Sequence, residues 1–251
     1  MDSKMKKAVI LAGGKGLRLS QSNADLPKPM IPVAGKPILE YIVAMIKKLG
    51  FEDAYIVVGH KKELIREYFG DGSKFGLKIE YLENKFIDNK VKCGLSDAVL
   101  LLEGVIKEPF LTILGDEIYA GTRHEEMIAA FEGSAGACEC MVAVHETKDL
   151  ESIKKNYSVQ LDADWNVLDL VEKPEKPFNS LIGCGTYIFR PSVFEYIRNT
   201  KVSERSGRKE LADTMKAMVN EGRKVKAFSI EGSYLNVNYP QDLAEAERYL
   251  K

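Results

Sequence analysis

Apolar residues in this chain fall into short unbroken runs separated by helical stripes. Residues 6–12, Ala54 to Val58 and Phe110 to Leu114 lack polar alternation, the pattern of strands buried on both faces. Pro37 to Gly50 places Ile38, Tyr41, Ile42, Met45, Ile46 and Leu49 on one helical stripe, with Pro at its start and Gly at its stop. Lys61 to Phe69 reads as a short charged helix, Leu77 to Leu82 as a strand and Ser96 to Val105 as a helix. Strand and helix alternate, and the crossovers are long enough for right-handed parallel units. The first half of the chain is therefore expected to be doubly wound α/β.

The rhythm changes after Ala120. A helix at Arg123 to Glu132 is followed by strands at Ala137 to Val144, Tyr157 to Leu161, Val167 to Glu172 and Ile182 to Phe189. Few helices separate them, which predicts an antiparallel extension. Helices at Pro191 to Asn199, Lys209 to Glu221 and Pro240 to Leu250 close the chain, with a strand at Lys224 to Ile230. There is no internal repeat and no low-complexity linker. One domain over 1–251 is expected, with halves of about 5–120 and 121–251.

Charge narrows the function classes. Lys plus Arg is 36 and Asp plus Glu is 37, a net charge of −1 over 251 residues. That balance lacks the basic excess of a general nucleic-acid binder. No segment is long and apolar enough to span a bilayer, and the start lacks a signal-peptide core, so a cytoplasmic protein without a membrane partner is expected. The four cysteines form no Cys-x-x-Cys pair, and the three histidines show no zinc spacing.

Chemistry concentrates where the first strand ends. Ala8-Val9-Ile10-Leu11-Ala12 runs into Gly13-Gly14-Lys15-Gly16-Leu17-Arg18-Leu19, followed by Leu26-Pro27-Lys28-Pro29-Met30. Glycines let backbone N–H groups approach phosphates closely, and Arg18 and Lys28 supply balancing charge. The run lacks the Gly-x4-Gly-Lys-Ser/Thr of a Walker loop and the third glycine of a dinucleotide fingerprint. A second strand ends in Leu114-Gly115-Asp116-Glu117. In an open parallel sheet, ligands sit beyond the carboxyl ends of strands, so Asp116 is expected near the glycine loop. A carboxylate facing a polyphosphate needs a divalent cation between them, and Mg²⁺ suits carboxylate and phosphate oxygens. Read alone, Asp116 is equally a turn residue capping the next helix, and Glu117 reads as its turn neighbour.

Gly-Gly-x-Gly-x-Arg-Leu followed by Pro-Lys-Pro resembles the signature of the sugar-1-phosphate nucleotidyltransferases, in particular the glucose-1-phosphate thymidylyltransferase-like members. The resemblance covers nearly the whole chain. It implies a Rossmann-like doubly wound mixed sheet with a small antiparallel sugar-binding extension, the GT-A-like nucleotidyltransferase fold, with no β-helix domain. It implies Mg²⁺-dependent transfer of a nucleotidyl group from a nucleoside triphosphate to a sugar 1-phosphate, with release of pyrophosphate. Leu11, Ala12, Gly13, Gly14, Gly16, Gly94 and Asp97 match nucleotide-binding positions. Arg18, Lys28, Asp116 and Lys173 match the catalytic set. Glu172-Lys173-Pro174 resembles the sugar-site motif, with Lys173 on the phosphate and Glu172 on sugar hydroxyls; by itself it is a common surface turn. Tyr157 and the glycine-bearing strand with Gly183 and Gly185 match the sugar pocket. Asn236 and Asn238, in Asn236-Val237-Asn238-Tyr239-Pro240, stand where an acidic residue commonly joins Asp116 at the metal. Read alone, Asn238 and Pro240 simply start the last helix.

Three positions depart from the family pattern. Leu17 replaces a usual Thr, Asp97 stands where a base-facing Gln is frequent, and Ser158 follows Tyr157 where Gly is frequent. An ionised Asp accepts hydrogen bonds but donates none, which leaves the base open and admits a cytidylyltransferase acting on an unusual sugar or non-sugar phosphate. The amides at 236 and 238 also admit a catalytically silent, nucleotide-sugar-binding regulatory paralogue. The expected partners are a nucleoside triphosphate and a sugar 1-phosphate. The resemblance also leaves room for a homo-oligomer.

Overall fold

The computed structural model describes residues 5–14, 26–84 and 93–250. In chain order its elements are β1 (Lys7–Leu11), β2 (Pro32–Val33), β3 (Lys36–Pro37), α1 (Ile38–Lys48), β4 (Asp53–Val58), α2 (Lys62–Phe69), β5 (Lys78–Glu83), α3 (Leu95–Leu100), β6 (Phe110–Leu114), β7 (Glu117–Ala120) and α4 (His124–Glu132). They continue with β8 (Cys140–Glu146), α5 (Leu150–Ile153), β9 (Tyr157–Leu161), β10 (Val167–Glu172), β11 (Leu181–Phe189), α6 (Val193–Asn199), α7 (Leu211–Asn220), β12 (Val225–Ser229), β13 (Ser233–Asn236) and α8 (Pro240–Tyr249). The elements form two compact units, each discontinuous in sequence.

The first unit holds β1 to β5, β7, β13, α1, α2, α8 and most of β6. Its parallel strands run in the order β6-β1-β4-β5. Ala8 pairs with Ala54 and Ile10 with Ile56, and β4 continues the parallel register into β5. Ala8, Val9 and Ile10 are fully buried, as an unbroken apolar run requires. Helix α1 turns Ile38, Leu39, Ile42, Val43 and Ile46 inward. It ends where Gly50 takes φ +87° and Gly50 N–H and Phe51 N–H close back on the Lys47 and Ile46 carbonyls. A second small core, with Ile31, Val33, Ile38, Ile118, Val237 and Ala246, packs under the short β7–β13 pair.

The second unit holds α3 to α7, β8 to β12 and the first two residues of β6. Strands β10, β9 and β11 pair antiparallel, β8 pairs antiparallel with β11, and β12 joins β8 in parallel. The change of rhythm after Ala120 thus marks a real change from parallel to mainly antiparallel pairing. Strand β11 is irregular between Gly183 and Tyr187, where the register against β8 slips. Such bulges re-aim side chains near binding sites. The α/β architecture with a parallel sheet and an antiparallel extension is the fold expected from the sequence.

Local differences have local causes. Helix α3 stops at Leu100 rather than Val105, and the following turns close by i to i+3 bonds up to Gly104, a poor helix former. Strand β8 starts at Cys140 because Ala135 and Gly136, at φ +48° and +88°, form a turn just before it. Glu117 directly follows the turn at Gly115 and Asp116, as expected. It begins β7, is fully buried, and accepts hydrogen bonds from the Tyr119 and Tyr234 hydroxyls.

Candidate functional site

In the first unit, a single ammonium gathers the polar residues. Lys28 opens a short 3₁₀ turn between Pro27 and Ile31, is 8% exposed, and keeps its head group within the protein. Its Nζ lies 2.6 Å from Asp116 Oδ2, 3.1 Å from Asn238 Oδ1 and 3.5 Å from Asn236 Oδ1. These residues are far apart in sequence, and strand pairing unites them. Asn236 pairs with Glu117 across β13 and β7, and Val237 N–H donates to the Asp116 carbonyl. Asn238 is fixed further: its N–H donates to Asp242, and its side-chain amide donates to the Asn236 side-chain oxygen. Tyr239 is the N-cap of α8 and Pro240 its first residue, so Asn238 lies just before the helix, and its side-chain oxygen faces the cluster.

One carboxylate and two amide oxygens converge on one positive charge. That donor set is hard and oxygen-only, and it suits Mg²⁺. Among the described residues no group of three or more His, Cys, Asp and Glu could hold a metal ion. The glycine loop starts beside this cluster. Gly115 N–H donates to the Leu11 carbonyl, and a Cβ at Gly115 would meet Ala12 at 3.2 Å. Leu11 and Ala12 are buried, whereas Gly14 has open space where a side chain would be. Gly16 and Arg18 lie outside the described residues.

The second unit carries the residues matched to the sugar. Glu172 ends β10 with its side chain 19% exposed, and Lys173 Nζ lies 3.5 Å from its carboxylate. Burial pushes the Glu172 carboxyl up to about 7; neighbouring Glu210 adds to the rise, and Lys173 and Arg205 oppose it. Lys173 has φ +46° and precedes Pro174. A left-handed conformation costs an L-residue roughly 1–2 kcal/mol, and proline further restricts the residue before it. Two bonds hold this backbone: Lys173 N–H donates to the Asn156 carbonyl at 2.5 Å, and Arg205 donates to the Lys173 carbonyl at 2.7 Å.

Tyr157 and Gly183 are cross-strand partners, and a Cβ at Gly183 would lie 2.2 Å from the Tyr157 ring. The Tyr157 hydroxyl donates toward the Cys184 and Ala143 carbonyls, at 3.0 and 3.3 Å, so this buried ring braces the bulged strand. Gly185 lies within the bulge. The hydroxyl of fully buried Ser158 accepts from Phe178 N–H, tying down the segment after Pro174.

Gly94 and Asp97 begin α3. Asp97 Oδ2 accepts the Gly94 N–H at 2.9 Å, so one oxygen of this carboxylate caps its own helix. Gly94 has no room for a side chain, because a Cβ would sit 2.0 Å from the Lys209 carbonyl oxygen. The segment around 200–210 therefore touches both the start of α3, through Lys209, and the Glu172–Lys173 turn, through Arg205. Sequence reasoning left this segment out: Ser203-Glu204-Arg205-Ser206-Gly207-Arg208 looks like any solvated charged loop.

Fold and site together define a mixed α/β protein with a polar cluster at the carboxyl ends of parallel strands. The chain matches the nucleotidyl transferase family over residues 7–251. It is 39% identical to the bifunctional protein GlmU of Methanocaldococcus jannaschii over 97% of its own length, and it spans only 54% of that protein. It is 33% identical to the UTP–glucose-1-phosphate uridylyltransferase AglF of Haloferax volcanii, covering 98% of this chain and 96% of that one. Its fold is that of a UDP-glucose pyrophosphorylase solved with UDP-glucose, at a TM-score of 0.83 and 24% identity, with 98% of each chain covered. The chain belongs to the sugar-1-phosphate nucleotidyltransferases, a family of enzymes. Among the described residues no helix is long and apolar enough to cross a membrane.

Proposed function

We propose that this chain transfers a nucleotidyl group from a nucleoside triphosphate to a sugar 1-phosphate in a Mg²⁺-dependent reaction, giving a nucleotide sugar and pyrophosphate. The observation that carries the reading is the convergence of Asp116, Asn236 and Asn238 on Lys28. A phosphate oxygen of the sugar 1-phosphate attacks the α-phosphorus in line, and the bond to the β-phosphate oxygen breaks. The attacking group is already ionised, so the protein needs no nucleophile of its own. Its task is positioning and charge neutralisation.

Lys28 neutralises charge at the α-phosphate, and Arg18 does so on the departing pyrophosphate. Lys173 steers the incoming phosphate against like-charge repulsion, and Glu172 accepts bonds from sugar hydroxyls. The backbone of the Leu11–Gly16 segment binds the nucleotide phosphates. Asp116, Asn236 and Asn238 would hold Mg²⁺, which supplies Lewis-acid neutralisation of phosphate charge when bound. With one carboxylate rather than two, this site holds its metal weakly and depends on the nucleotide to complete it. Asp97 offers the base at most the oxygen that does not cap α3.

The similarity to AglF over nearly the full length of both chains makes UTP with glucose 1-phosphate the first pair to test. Pyrophosphate release is measured with Mg²⁺ across the four ribonucleotides and dTTP, each with a panel of sugar 1-phosphates. One strongly preferred pair, lost in Asp116→Asn, is the expected result. Nucleotide-sugar binding without pyrophosphate release on any pair would overturn the reading in favour of a silent binding protein.

A further inference from the structure

The Glu172-Lys173-Pro174 turn is held from a place the family motifs do not reach. Lys173 combines a left-handed backbone with a following proline, so its conformation depends on outside contacts. One contact, from the Asn156 carbonyl, acts on its N–H; the other, from Arg205, acts on its carbonyl. Arg205 is exposed and 32 residues further along the chain, so it contributes little to any core. It belongs to the segment whose Lys209 carbonyl abuts Gly94 and accepts a hydrogen bond from Ser96 N–H. The same segment ends in Glu210, beside Glu172. One stretch of chain therefore touches the start of α3 and the turn matched to the sugar phosphate.

We infer that Arg205 is a positioning residue for the sugar 1-phosphate, acting through the Lys173 backbone. By fixing the Lys173 carbonyl it keeps the peptide before Pro174 from turning over, and so keeps Nζ aimed at the incoming phosphate. This rests on the role proposed above for Lys173. Without Arg205 the carbonyl loses its charged donor, and the turn relaxes toward the extended backbone that a residue before proline prefers.

A double-variant cycle tests this with the nucleotide and sugar 1-phosphate that turn over best in the substrate panel. Arg205→Gln should raise KM for the sugar 1-phosphate about tenfold and leave KM for the nucleotide and the melting temperature unchanged. Arg205→Lys, which keeps a cationic donor, should recover part of the loss. In a Lys173→Ala background, Arg205→Gln should change KM less than twofold. An undiminished effect in that background would mean that Arg205 meets the substrate directly, and would overturn the inference. So would a wild-type KM in Arg205→Gln. A Lys173→Ala variant that binds sugar 1-phosphate normally would instead remove the role assigned to Lys173, and this inference with it.

Discussion

The Lys28 ammonium lies 2.6 Å from the Asp116 carboxylate, with side chains 9% and 27% exposed, and each is the other's counter-charge. Lys28→Ala leaves Asp116 facing amide oxygens with no cation. Turnover should fall on the order of 10²–10³, as when a preorganised charge-stabilising donor is lost. Stability should fall by about 1–2 kcal/mol, less than for a fully buried pair because Asp116 keeps some access to water. Adding Asp116→Asn should restore part of the stability and none of the activity. Denaturant titrations beside initial rates check this; a double variant no more stable than Lys28→Ala would refute the pairing.

The neutral partners of Asp116 lead to a second expectation. Asn236→Asp adds a carboxylate on the same strand pair, where the side-chain oxygen already points at the cluster. The Mg²⁺ concentration giving half-maximal rate should drop severalfold, because a second anionic oxygen strengthens a hard-cation site. Asn236→Leu should raise it. Manganese binding followed by electron paramagnetic resonance checks the same order without relying on turnover. Equal metal affinity in all three proteins would remove Asn236 from the donor set.

These residues also show what a sequence can and cannot reveal. Asp116 was legible because it ends a punctuated apolar run, a strand closing in Gly-Asp, and Lys28 because it is framed by two prolines just after the glycine loop. The parallel strands were legible for the same reason, since burial on both faces leaves no alternation. The short strands Glu117–Ala120 and Ser233–Asn236 were not, because four residues carry too little periodicity to register. Yet their pairing is what brings Asn236 to Asp116. Arg205 was equally silent: its contact is to a backbone carbonyl, and no side-chain pattern encodes it.

Two glycines should fail for different reasons. At Gly183 an added methyl meets the Tyr157 ring at 2.2 Å, and that ring is held by two carbonyls through its hydroxyl. At Gly94 it meets the Lys209 backbone oxygen at 2.0 Å. Neither neighbour is the mobile end of a side chain, so each Gly→Ala change should cost roughly 1–3 kcal/mol, the range for overpacking. Gly183→Ala with Tyr157→Leu should recover stability, because the clashing ring is gone; Gly94→Ala has no such rescue. Thermal melts of the three variants decide it, and a Gly183→Ala protein that gains nothing from Tyr157→Leu would place the clash elsewhere.

Glu172 should set a pH response in both stability and sugar binding. Its carboxyl is pushed up to about 7 by burial, with Glu210 adding to the rise and Lys173 and Arg205 opposing it. The folded protein therefore holds a proton that the unfolded chain has lost above its ordinary value of 4.5. Stability falls as pH rises from there to about 7, and the penalty is complete above that. With the role proposed for Glu172, sugar binding should run the other way, since only the ionised form offers both oxygens as acceptors. At one pH unit below its midpoint only about a tenth of Glu172 is ionised, so KM for the sugar 1-phosphate should be about tenfold higher at pH 6 than at pH 8. Glu172→Gln should lose this dependence, match the wild type in stability near pH 5 and exceed it at pH 8. A variant that is more stable at alkaline pH and weaker for sugar marks Glu172 as a group whose ionisation serves binding at the expense of the fold. A KM profile unchanged by Glu172→Gln would assign the pH response to the substrate's own phosphate instead.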